Sequence, residues 1–171
     1  MKAKLSILLL FLAASFLASA QEKTTKGLKQ ERELEKQKGI KALLDSLDFV
    51  FEAQKVTPQG GRLIQLDYNT YFLNFNTDKT TCDLPFFGRA FNVGYNGDGG
   101  IKFEGKPENI KIEKKKKNTI LRATVKGEND VYDLTFTIFF NGSTSLNINS
   151  NDRASIYYDG VISASKKVEV K

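Results

Sequence analysis

The sequence contains no histidine, and one cysteine, Cys82, in 171 residues. Lack of histidine removes the commonest general base, the usual partner of a serine or cysteine nucleophile, and the commonest metal ligand. Ordinary hydrolase triads and zinc sites are thereby excluded, leaving rarer substitutes such as Ser-Lys pairs or paired carboxylates. A lone cysteine rules out an intramolecular disulfide. Cys82 reads as a buried thiol acting as a small hydrophobe, ahead of a nucleophile or an intermolecular bridge. No βαβ alternation, no fixed-period repeat and no recognisable catalytic motif is present. After the first twenty residues no long apolar run occurs, so no transmembrane segment is expected and the mature chain is expected to be soluble.

Those first residues carry a signal of their own. Lys2 and Lys4 precede the uncharged apolar run Leu5–Leu17, and Ala18-Ser19-Ala20 matches a small-x-small cleavage site. This is the layout of a secretory signal peptide over residues 1–20, too short for a spanning helix. The expected localisation is the periplasm or the exterior. Gln21, not cysteine, follows the cleavage point, which excludes a lipoprotein anchor. Roughly 150 residues remain, enough for one domain with a full core.

Residues 21–39 are dominated by charge and read as a tether that becomes a docked helix. From there Ile40, Leu43, Leu44 and Leu47 form the i, i+3, i+4, i+7 stripe of an amphipathic helix. After Asp48 the period changes to 2. Phe49–Gln54, Arg62–Asp67, Thr70–Asn76, Thr80–Leu84, Asn109–Glu113, Thr119–Lys126, Val131–Phe140, Ser143–Ser150 and Ala154–Ile162 read as strands. Turn signals separate them: Pro58–Gly61, the lysine run Lys114–Lys117, and Asn141-Gly142, the strongest short hairpin signal. In Val131–Phe140, Tyr132, Leu134, Phe136, Ile138 and Phe140 share one face. The fold class is mostly β: an antiparallel meander barrel or a sandwich of roughly eight to ten short strands after one N-terminal helix. A single barrel domain is expected over 40–164, with a loose basic tail over 165–171.

The densest stretch is Cys82–Gly105, CDLPFFGRAFNVGYNGDGGIKFEG, where glycines alternate with aromatics. Its LPFFGRAF and GDGGIKFEG runs resemble domain-of-unknown-function family 4251, a family of exported bacterial proteins. FVFEAQ at Phe49–Gln54, PQGGR at Pro58–Arg62, YFL at Tyr71–Leu73, VKGEND at Val125–Asp130, NGSTSL at Asn141–Leu146 and the closing IYYDGVI add to the likeness. Together they span Ser46–Ile162. The resemblance implies a Bacteroidetes-type envelope or secreted protein with a lipocalin-like β-barrel. It assigns no activity and no functional residue.

Candidate chemistry is therefore read from the residues. Asn96–Gly100 begins like a calcium loop, but the twelfth position from Asn96 is Pro107 where an EF-hand needs glutamate. A tight glycine turn is the plainer reading, and no metal or cofactor is implied. Lys114–Lys117 reads as a solvated hairpin tip that guards against edge pairing. Acidic residues are spread through the chain and no clustered basic face is evident, so nucleic acid is not an expected partner. Arg62, Arg89 and Arg153 sit beside turns, where each either pins its turn or holds an anionic group. If the glycine-rich stretch forms a lid or mouth, Phe86, Phe91 and Tyr95 meet the ligand, and Arg89, with Arg62 and Asp98 near, recognises its polar head. The leading expectation is a non-enzymatic, exported barrel that binds a small apolar or amphipathic ligand, since about eight tilted strands leave room for side chains or one small molecule. The alternatives are an envelope interaction domain with a filled core, and a hydrolase using paired carboxylates.

Overall fold

Alternation of apolar and polar residues dictates most of the architecture. In the computed structural model, which describes residues 27–91 and 99–165, ten strands follow one helix. Helix α1 covers residues 27–46. The strands are β1 (Phe49–Pro58), β2 (Ile64–Gln65), β3 (Phe72–Phe75), β4 (Thr80–Pro85), β5 (Gly100–Gly105), β6 (Pro107–Lys114), β7 (Asn118–Lys126), β8 (Val131–Phe139), β9 (Ser143–Ser150) and β10 (Ile156–Ala164). They pair antiparallel in the order β5-β4-β3-β1-β10-β9-β8-β7-β6, with β2 alongside β1. The path is a meander except at its centre, where β1 and β10, first and last in the chain, lie side by side. The sheet curls until β5 crosses β7, and Phe103 stacks on Tyr132 with ring centroids 4.3 Å apart. The result is a nearly closed antiparallel nine-strand barrel.

Alternation places one face of each long strand inside. On β8, Tyr132, Leu134, Phe136 and Ile138 are buried while Asp133 is exposed. Phe136 sits at the centre of an aromatic cluster. Phe49 and Phe75 stack at 5.2 Å, and Phe136 meets the edges of Phe49, Phe75 and Phe51 at 5.6, 5.7 and 6.2 Å. Leu73, Leu121, Leu146, Ile148 and Ile156 add to the interior along the strands, each essentially without solvent contact. Around the aromatic cluster the barrel is filled by its own side chains.

Three expectations shift. The strand Arg62–Asp67 shrinks to Ile64–Gln65, paired with Lys55 and Val56 of β1, and the Leu66 N–H donates to the Gln54 carbonyl at 2.9 Å just beyond it. Phe140 leaves the buried face: it belongs to the β8–β9 turn and is 40% exposed. A strand, β5, emerges from the glycine-rich stretch, where Ile101 and Phe103 face inward between Lys102 and Glu104.

The chain divides into two units between Lys38 and Gly39, the first described here only as helix residues 27–38. Within the second, Ile40, Leu43, Leu44 and Leu47 pack on the core, as their spacing predicts, at the end where β1 begins. Asp45 and Lys114 form an ion pair there at 3.1 Å. Asn141-Gly142 makes the β8–β9 turn at this same end, with Gly142 at φ 85°, a conformation that favours glycine.

Candidate functional site

The strand register places the other barrel end, away from the helix, at the last residues of β1, β4 and β7 and the first of β10. The loops gathered there hold the candidate residues. Beyond Pro85 the chain crosses toward the β9–β10 loop and is pinned to it. Ala90 bridges Arg153; the Phe91 N–H donates to the Asp152 carbonyl at 2.7 Å and the Ala154 N–H to the Arg89 carbonyl at 2.9 Å. Below this strap the Tyr158 hydroxyl donates to the Pro85 carbonyl at 2.7 Å.

Arg153 occupies the centre of the arrangement. Its guanidinium lies over the Phe86 ring, 5.0 Å from the centroid, in cation–π geometry. It is half-buried, and no carboxylate among the described residues pairs with it. Burial pushes the phenols of Tyr132 and Tyr158 upward, and the nearby guanidinium pulls both back in part. Burial, followed by the charge of Asp83, likewise drives the Cys82 thiol well above its usual range. Both phenols and the thiol are therefore protonated near neutral pH, and Cys82 is a free thiol buried in the core.

The remaining candidates separate by environment. Phe86 is half-buried beneath Arg153, whereas Phe87 (49%) and Phe91 (71%) present their rings to solvent. Arg89 and Arg62 are exposed, Arg62 next to the Pro58–Gly61 turn at the same barrel end. Tyr95 and Asp98 lie outside the described residues. Arg153 is the residue whose importance spacing alone conceals. Its sequence signal is the Asn-Asp-Arg turn, and its partner Phe86 lies more than sixty residues earlier.

An open cleft of about 340 Å³ adjoins the strap, lined by Lys126–Val131, Asn151 and Asp152. It brings Glu128, Asp130 and Asp152 to one opening, but Asp130 is engaged in structure: Oδ1 accepts the N–H groups of Val131 (2.7 Å) and Asn151 (3.2 Å), tying the β7–β8 turn to the β9–β10 loop. Among the described residues no group of three or more acidic or thiol side chains is arranged to hold a metal ion.

A family model described as a domain of unknown function, DUF4251, matches residues 31–162. The chain belongs to the DUF4251 family. It is similar to the crystal structure of a DUF4251 family protein from Bacteroides eggerthii, with a TM-score of 0.60 and 23% identity over 75% of this chain and 87% of that one. At that identity the likeness shows a shared fold. No curated protein matches. Of the DUF4251-like stretches in this chain, Pro58–Arg62, Leu84–Phe91 and Val125–Asp130 all end at the strap-bearing rim, although they are far apart in sequence. Among the described residues no helix is long and apolar enough to cross a membrane.

Proposed function

We propose that this DUF4251 protein is an exported, non-enzymatic binding module that takes an amphipathic ligand with an acidic head at the strap rim. The observation that carries this reading is Arg153, a half-buried cation stacked on Phe86 without a carboxylate partner among the described residues. A partly desolvated guanidinium that no described carboxylate pairs with attracts a carboxylate or phosphate, which its planar fork grips in bidentate fashion. Phe87 and Phe91, exposed on the strap directly beside it, offer apolar area for the rest of the molecule. The aromatic cluster in the barrel argues against deep insertion and in favour of rim binding. That filled interior also supports a second reading, in which the rim takes a partner protein through the same aromatic and arginine residues.

Thermal shift with a fatty-acid anion and the neutral alcohol of equal chain length tests the proposal. At 100 times its dissociation constant a ligand adds about 2.7 kcal/mol, a rise in Tm of about 5–10 °C for this size. The acid should shift the melt more than the alcohol, and Arg153→Gln should abolish the difference. Equal shifts for both compounds, or none for either, would overturn it. Export is checked separately, by a mature N-terminus at Gln21 in a host that processes signal peptides.

A further inference from the structure

A different surface supports an inference independent of the rim. Strand β6 ends the sheet and pairs with β7 alone. Unlike the other long strands it buries little after Pro107: Ile110 is half-buried against the core, and the rest, Ile112 included, is exposed. The ladder phase shows which backbone groups are left over. Lys115 N–H donates to the Asn118 carbonyl at 2.8 Å, so the pairs Glu113–Ile120 and Lys111–Arg122 exchange hydrogen bonds with β7. Ile112 and Lys114 then direct their N–H and C=O groups away from β7, to a side where no described strand pairs with them.

The charge on this edge is one-sided. Its two acids are already neutralised across the hairpin, Glu108 by Lys126 at 3.1 Å and Glu113 by Arg122. Lys106, Lys111, Lys115, Lys116 and Lys117 form no ion pair among the described residues. Edge lysines repel other strands, and here the surplus of unpaired lysines disfavours a second copy carrying the same basic edge. The same charges attract an acidic strand. At the other end the bulge between Glu108 and Lys111, with Asn109 at φ 54°, twists the edge away and restricts docking to Lys111–Lys114 and the adjoining tip.

We infer that the β6 edge is a docking site for a short, extended, acidic segment of a partner protein, which adds as a strand beside Lys111–Lys114. Main-chain bonds to Ile112 and Lys114 give the affinity and the lysines select an acidic sequence.

The test uses a rhodamine-labelled peptide of alternating glutamate and valine, read by fluorescence anisotropy against the full mature chain. Binding should weaken at high salt and fall about tenfold or more in Lys111→Glu/Lys115→Glu/Lys116→Glu/Lys117→Glu. Amide exchange at Ile112 and Lys114 should slow when peptide is present. Ile112→Pro keeps every charge and removes one outward N–H, a change an edge strand tolerates; it should also weaken binding about tenfold. Lys114→Pro serves the same purpose if Ile112→Pro does not fold. Undiminished binding by a folded proline variant would reduce the effect to charge attraction and overturn strand addition. Absence of peptide binding, or binding only to anionic phospholipid vesicles, would overturn the inference as well.

Discussion

Tyr158 and Pro85, 73 residues apart, are joined by a hydrogen bond of 2.7 Å from the phenol to the proline carbonyl. The tyrosine ring is fully buried, so its hydroxyl has to find a partner inside, and the carbonyl that ends β4 is that partner. One bond thus fixes where the strap begins. Tyr158→Phe should leave the fold intact and cost about 1–3 kcal/mol, the penalty for stranding a buried acceptor. Urea denaturation measures the loss, and amide exchange at Phe91 and Ala154 should quicken as the strap loosens.

Phe136 touches three other phenylalanine rings at the barrel axis. Truncation removes both its buried area and the support of its neighbours. Phe136→Ala should destabilise the domain by about 3–5 kcal/mol. Phe139→Ala, three residues on and on the exposed face, should change stability by about 0.5 kcal/mol or less. Equal losses in the two variants would mean that the alternation on β8 does not mark the core.

How far these features can be read from sequence depends on their range. β8 and β9 declare themselves, because one buried face forces strict alternation, and the Ile40–Leu47 stripe declares the docked part of the helix for the equivalent reason. β5 is harder to see: Ile101 and Phe103 alternate properly, yet flanking glycines satisfy every rule for a loop. The β1–β10 pairing and the strap's attachment to the β9–β10 loop join residues far apart in the chain, and no local pattern encodes them. Phe140 shows the opposite failure. Its period continues that of β8, but the turn has already begun and tertiary geometry overrides the pattern.

The β1–β10 junction is built on the absence of a side chain. A Cβ at Gly160 would lie 1.9 Å from the Glu52 carbonyl oxygen, and backbone cannot move aside as a flexible side chain would. The clash falls beside the β1 bulge, where the two strands change register. Gly160→Ala should cost on the order of 4 kcal/mol and appear as lost soluble yield or a lowered Tm. A stable Gly160→Ala protein would show that this register can slip.

Cys82 and Tyr158 together give stability a pH dependence whose sign can be worked out. Burial raises the folded pKa of each above its unfolded value, which is near 8.5 for a thiol and 10 for a phenol. Above those values the unfolded chain releases protons that the folded chain retains, so the stability of the fold falls as pH rises. Below about pH 8 both contributions are complete; the decline should begin near pH 8.5–9 with the thiol and steepen above about 10 with the phenol. Cys82→Ala should flatten the first part and Tyr158→Phe should lessen the second, which the raised Tyr132 phenol shares, each compared with wild type as Tm against pH from 8 to 11. The native thiol should also react with a maleimide far more slowly than the urea-unfolded chain. Rapid labelling of the native protein at pH 7, or a Tm profile that Cys82→Ala leaves unchanged, would place this thiol outside the core.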